Sequence, residues 1–242
     1  MFRSFKWYIL GYLGTLVAFM PKEKKAEKLL AEGKKEEMDA LVCLGTKTIS
    51  QRLIKFSDST VNIEGLENIP EGPVLFVSNH QSNMDIAMIC GFIDKPKGFI
   101  AKKELEKLPL ISKWITLAGS IYLGRENPRK SMEGILEGIK TLKNGHSLVV
   151  FPEGTRSKGD KMGEFKAGSF KLATKSKVTI VTLTIDGTYR VMEANKILIK
   201  PSNINFYIHK PIYTDKLSKE ELAALPETVE NIIRSKLPNQ GK

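Results

Sequence analysis

The chain has 242 residues, 41% hydrophobic and 27% charged, which suits one large domain or one domain with a small appendage and excludes a disordered polymer. Lys and Arg outnumber Asp and Glu by 38 to 27, and a charge of +11 points to an anionic partner: a nucleic acid, a membrane surface or a phosphorylated substrate. There is no nucleic-acid-binding motif and no interleaving of aromatic with basic residues, so no nucleic acid is expected; His80, His146, His209, Cys43 and Cys90 lack ligand spacing, so no metal site is expected.

From Trp7 to Met20 the chain is apolar and uncharged, preceded by Arg3 and Lys6 and rich in aromatics at its start. Spanning a bilayer needs about 20 apolar residues, and this run is shorter. No small-x-small cleavage site follows, as a signal peptide would require. A helix lying in or dipping into one leaflet fits the pattern, with a buried core helix as the alternative. A second helix is expected from about Glu23 to Phe56, opening in mixed Lys and Glu that read as a solvated face, with lysines able to meet anionic lipid heads. Residues 1–57 are thus read as a two-helix membrane-docking motif and residues 58–242 as the main domain. The two cysteines, outside any C-x-x-C pair, read as buried thiols of a reducing compartment.

Beyond Thr60 short Val- and Ile-rich strands alternate with helices. The expected strands are 61–64, 74–78, 98–101, 120–123, 147–151, 178–185, 196–199 and 205–209. Pro128 to Lys143 predicts a helix with Met132, Ile135, Leu136, Ile139 and Leu142 on one apolar face, ended by Asn144-Gly145. Ser218-x-x-Glu221 is a capping-box candidate, and Pro226 is read as restarting a helix. The alternation predicts an α/β fold: a central, mainly parallel or mixed sheet flanked by helices.

Two segments carry chemistry. The apolar strand VLFVS runs into Asn79-His80-Gln81-Ser82-Asn83-Met84-Asp85, and an apolar helix leaves it. On one regular helix His80 and Asp85 would stand about 140° apart and could not meet. With His80 in a loop and Asp85 in the first helical turn, the carboxylate can orient the ring and free its other nitrogen to take a proton from an alcohol. An isolated His-x4-Asp is nonspecific, however, and by itself better describes a strand-end histidine held for structural reasons. The second segment, Phe151-Pro152-Glu153-Gly154-Thr155-Arg156-Ser157, follows the strand SLVVF. Arg156 offers a planar donor fork for phosphate, and Gly154 lets the backbone approach a ligand. Glu153 could hold Arg156 or meet substrate hydroxyls.

Together these segments resemble the glycerolipid acyltransferase family. Gly119-Ser-Ile-Tyr-Leu-Gly124-Arg125, Lys102-Lys103-Glu104-Leu105 and Phe165-Lys166-x-Gly168 add to the likeness, in the family's order. One block departs from it: Val178-Thr-Ile-Val-Thr-Leu183 has threonines at 179 and 182 where the family has prolines, which puts the local strand end in question. The resemblance implies acyl transfer from an acyl thioester, acyl-CoA or acyl carrier protein as co-substrate, to the sn-2 hydroxyl of lysophosphatidic acid, giving phosphatidic acid. It implies His80 as general base, Asp85 as its orienter, and Arg156, Arg125 and Lys102 or Lys103 as phosphate ligands. Glu153, Gly154, Thr155 and Lys166 take substrate-binding or structural places. Oxyanion donors are expected from backbone N–H groups near a turn. No cofactor is implied, and the expected location is the cytoplasmic face of the cell membrane, peripheral or monotopic. Rival readings are acylation of glycerol 3-phosphate or another lysophospholipid, a noncatalytic lipid-binding protein, and a serine hydrolase, although no G-x-S-x-G elbow is present.

Overall fold

In the computed structural model, which describes residues 2–108, 111–124 and 127–238, the wholly buried strand β2 (Val74–Ser78) lies at the middle of the sheet. Side chains alternate across a strand, so Val74 and Phe76 enter one core cluster and Leu75 and Val77 the other. A strand buried on both faces belongs in a parallel sheet covered by helices on each side. Its partners are β1 (Thr60–Glu64), β3 (Lys97–Lys102), β4 (Ile121–Leu123), β5 (Ser147–Val150), β6 (Thr179–Asp186) and β7 (Asn203–Ile208). The order is β1-β7-β6-β2-β5-β3-β4. Every neighbouring pair is parallel except β6 with β7, so β1 and β7 run against the other five.

Helix α1 (Phe2–Lys6) continues through a π-helical stretch (Trp7–Leu13) into α2 (Gly14–Ala31), and α3 (Lys35–Phe56) returns. The break therefore falls at Gly33, not beside Pro21 as expected. Gly33 takes φ +72°, the Gly33 N–H donates to the Leu30 carbonyl and the Lys34 N–H to that of Leu29, which is the Schellman arrangement that closes a helix. These helices are built into the fold. Trp7 packs in the main cluster with Ile54 and donates its indole N–H to the Leu53 carbonyl at 2.9 Å. Phe19, Met38 and Val42 share a third cluster with Trp114 of α5 (Ile111–Leu117). Helix α3 is tied to α4 (Met84–Phe92) by Gln51 Nε2, which donates to the Gly91 carbonyl at 2.9 Å. No helix of the described residues is long and apolar enough to cross a membrane.

The other sheet face carries α6 (Pro128–Lys143), α7 (Lys171–Ser176) and α8 (Lys219–Arg234). Helix α6 has the expected bounds, with Asn127 as N-cap, but its buried stripe is narrower: Met132 and Leu136 stay exposed. The Ser218–Glu221 capping box is formed, and α8 runs unbroken through Pro226. Both threonines at 179 and 182 lie within β6, in register with Val74 and Val77 of β2, so the departure from the family pattern leaves this strand continuous. The run 196–199 is not a strand: its first three residues lie in a tight turn, and only Ile199 of its three apolar residues is buried. Cys43 and Cys90 are free, and Cys90 is buried.

Candidate active site

Strands β6, β2 and β5 are neighbours and parallel, and their carboxyl ends supply the loops of the site, where ligands bind in open α/β sheets. After β2 the chain leaves the ladder. Asn79 fixes the exit, its side chain donating to the Ile185 carbonyl at 2.8 Å and accepting the Ile185 N–H at 2.9 Å. His80 follows in the loop, and Asp85 lies in the first turn of α4, which puts a carboxylate where the helix dipole favours it.

His80 Nδ1 and Asp85 Oδ2 are 2.8 Å apart. Asp85 is wholly buried, and Oδ2 also accepts the N–H groups of Gln81 at 2.7 Å and Ser82 at 2.9 Å, while Oδ1 accepts the Thr188 hydroxyl. A carboxylate so surrounded takes Nδ1–H from the neutral ring, which leaves the Nε2 lone pair free to accept a proton. The ring stacks on Phe151, centroids 3.9 Å apart, which fixes its plane.

The loop after β5 locks onto this one. Glu153 Oε1 accepts the His80 N–H at 2.6 Å and Oε2 the Gly163 N–H at 2.7 Å. In return the His80 carbonyl accepts the Ser157 N–H at 2.8 Å and the Gln81 carbonyl the Lys158 N–H at 3.2 Å. Burial pushes the Glu153 carboxyl up to about 7, against the N–H groups of Gly163 and His80 that pull it down. Glu153 is thus a support for the His80 backbone, and its two oxygens are taken by main-chain N–H groups and not by Arg156. Arg156 is held by Glu193, Nη1 to Oε1 at 3.0 Å, and the same oxygen accepts the Asn83 N–H at 3.0 Å. Gly154 takes φ +71°, and a Cβ there would stand 2.9 Å from Lys166 Nζ, so glycine brings this backbone up to the lysine.

His80, Gly154, Thr155, Arg156, Lys102 and Lys166 all line one cavity of about 700 Å³. Its lining extends between α3 and α5, where Val42, Trp114, Ile115 and Ala118 give it apolar wall and Asp39, Thr46 and His146 are the polar residues among them. Lys103 does not line it and pairs instead with Glu106 at 2.7 Å. Arg125 lies outside the described residues. Thr188 and Glu193, which hold Asp85 and Arg156, follow β6 in a stretch without a recognisable motif and have no signal in the sequence. Among the described residues no group of three or more His, Cys, Asp or Glu is arranged to hold a metal ion.

A family model described as acyltransferase matches residues 60–186. The chain is 36% identical over 176 residues to a chloroplastic 1-acyl-sn-glycerol-3-phosphate acyltransferase of Arabidopsis thaliana, covering 70% of this chain and 49% of that one. It is 30% identical over 176 residues to the 1-acyl-sn-glycerol-3-phosphate acyltransferase of Borreliella burgdorferi, covering 72% and 70%. The chain spans about half the length of the chloroplastic relatives from Arabidopsis thaliana and Brassica napus. The crystal structure of the 1-acyl-sn-glycerophosphate acyltransferase from Thermotoga maritima superposes with a TM-score of 0.83 at 29% identity, covering 96% of this chain and 92% of that one.

Proposed function

Because this chain belongs to the acyltransferase family, we propose that it moves a fatty acyl group from a thioester to the sn-2 hydroxyl of 1-acyl-sn-glycerol-3-phosphate, forming phosphatidic acid. The observation that carries this reading is the His80–Asp85 pair opening onto the same cavity as Arg156. His80 Nε2 takes the proton of the acceptor hydroxyl as its oxygen attacks the thioester carbonyl. Asp85 holds the ring and stabilises the imidazolium. When the tetrahedral intermediate collapses the C–S bond breaks, and the leaving thiolate takes the proton from His80. No acyl-enzyme is formed.

Arg156 is the main ligand of the acceptor phosphate, with Lys102 and Lys166 lining the same cavity; Arg125 is assigned the same task from its motif. The apolar end of the cavity between α3 and α5 takes an acyl chain. The donor is acyl-CoA or acyl carrier protein, both acidic and matched to the positive chain. Phe2, Phe5, Leu10, Leu13 and Val17 are exposed on the first helix and rest in one leaflet on the cytoplasmic face, so a lysolipid reaches His80 without leaving the membrane.

The test is product analysis with lysophosphatidic acid, glycerol 3-phosphate and lysophosphatidylcholine side by side, each with both donor types. Phosphatidic acid as the dominant product is expected. Preference for another acceptor would move the substrate assignment, and retention of lipid without any acylation would support a binding protein instead.

A further inference from the structure

The chain between β6 and β7 touches the site at two places. It starts with Thr188 on Asp85, passes Val191 in the main core, and reaches Glu193 on Arg156. It then turns sharply: the Leu198 N–H donates to the Asn195 carbonyl at 3.0 Å. Lys196 at the tip has φ +59° and ψ −103°, close to the first central position of a type II′ turn, which favours glycine. The tip residues are therefore the reverse of ordinary turn chemistry, which places Gly, Asn or Asp there. Here a strained lysine is followed by Ile197, 75% exposed, and Leu198, 40% exposed.

The place of this turn says what it meets. The Ile199 N–H donates to Ser4 Oγ at 2.9 Å in a buried contact, so the turn is fastened to α1. Phe2 and Phe5, to either side of Ser4 in sequence, are 81% and 64% exposed. Two residues of chain span at most about 7 Å, so Ile197 stays within a short reach of that attachment. Exposed Lys196 and Lys200 bracket the apolar pair, a pattern that complements a surface with an apolar interior and anionic heads.

We propose that the Asn195–Leu198 turn is a second membrane-inserting element, Ile197 and Leu198 entering an anionic leaflet beside α1 with Lys196 and Lys200 at its phosphates. The proposal rests on the reading that α1 docks on a membrane. Two contact points define an orientation where one helix alone can roll. The segment that inserts is also the one whose Glu193 holds Arg156, so leaflet depth and the acceptor-phosphate site are set by one piece of chain.

The test uses the full chain and vesicles of phosphatidylcholine with phosphatidylglycerol, measured by flotation. Ile197→Asp with Leu198→Asp is expected to weaken partition about tenfold, while Phe2→Asp with Phe5→Asp reports on α1 itself. Activity on a short-chain, water-soluble acceptor is expected within about twofold of wild type for the turn variant, and KM for vesicle-borne acceptor to rise with kcat kept. Unchanged partition of the turn variant beside loss in the Phe2/Phe5 variant would overturn the proposal and leave α1 docking intact. Unchanged partition of both would overturn both readings. A wild-type dimer that dissociates in the turn variant, seen by sedimentation velocity without lipid, would assign the patch to self-association instead. If the aspartates disturb the fold, Ile197→Ser with Leu198→Ser decides: a partial loss of partition supports insertion, and wild-type partition rejects it.

Discussion

Glu153 accepts the main-chain N–H of His80 at 2.6 Å, so the loop after β5 holds the backbone of the loop after β2. The pH behaviour of this carboxyl follows from its burial. In the unfolded chain it loses its proton near 4.5, whereas in the folded protein it keeps it to about 7. Between those values the folded state binds more protons, so its contribution to stability is full at low pH, falls as pH rises and levels off above the folded value. Urea unfolding from about pH 5 to about pH 8 is expected to show a steeper loss of stability in wild type than in Glu153→Gln, with parallel curves contradicting this account.

Asp85 accepts two backbone N–H groups and a hydroxyl besides the His80 ring. Asp85→Ala leaves these buried donors without an acceptor and is expected to cost about 2–5 kcal/mol of stability as well as activity. Asp85→Asn keeps the shape but favours the wrong ring tautomer, so kcat is expected to fall roughly a thousandfold with a smaller loss of stability. Denaturant curves and steady-state rates separate the two effects.

Thr188 positions Asp85 from the side away from His80. Thr188→Val is expected to lower kcat by about tenfold and to shift the acid limb of the pH–rate profile, while Thr188→Ser restores both. A valine variant with wild-type kcat and pH profile would show that this hydroxyl serves only the fold.

Arg156 is held by Glu193 at 3.0 Å, so on the proposed assignment of Arg156 to the acceptor phosphate the two anions compete for one guanidinium. Arg156→Ala is expected to raise KM for lysophosphatidic acid by about 10- to 100-fold. Glu193→Gln keeps an oxygen for the Asn83 N–H but releases the guanidinium, and is expected to lower the same KM. A raised KM in Glu193→Gln would mean that the carboxylate positions Arg156 for substrate and does not compete with it.

Deleting residues 1–20 removes Trp7 and Phe19 from buried clusters, so a loss of thermal stability of several degrees is expected together with any loss of vesicle binding. A truncated chain with the wild-type melting temperature would show that these residues add nothing to the core.

Much of this was legible from local pattern. Seven of the eight expected strands exist, because Val- and Ile-rich runs such as 74–78 and 147–150 have no other place to go than a covered sheet. The eighth, 196–199, has the same composition but forms most of the turn beside α1, and no local pattern tells an inward Ile from an outward one. The first helix ran on past Pro21 because the stop signal was Gly33, hidden inside a charged run. The contact of His80 with Asp85 was legible from a loop-to-helix boundary, but the spacing is nonspecific by itself and gained weight only beside the Phe151–Ser157 segment. Thr188 and Glu193 were not: they reach Asp85 from 103 residues away and Arg156 from 37, and only the adjacency of β6 and β2 brings them to the site.

The most direct test of the account is thiol release from acyl-CoA on adding lysophosphatidic acid, comparing wild type with His80→Ala at matched folding. General-base catalysis by His80 requires release that depends on the acceptor and drops by at least about a hundredfold in the variant. Acceptor-dependent release that survives in His80→Ala would contradict it and remove His80 from the chemistry.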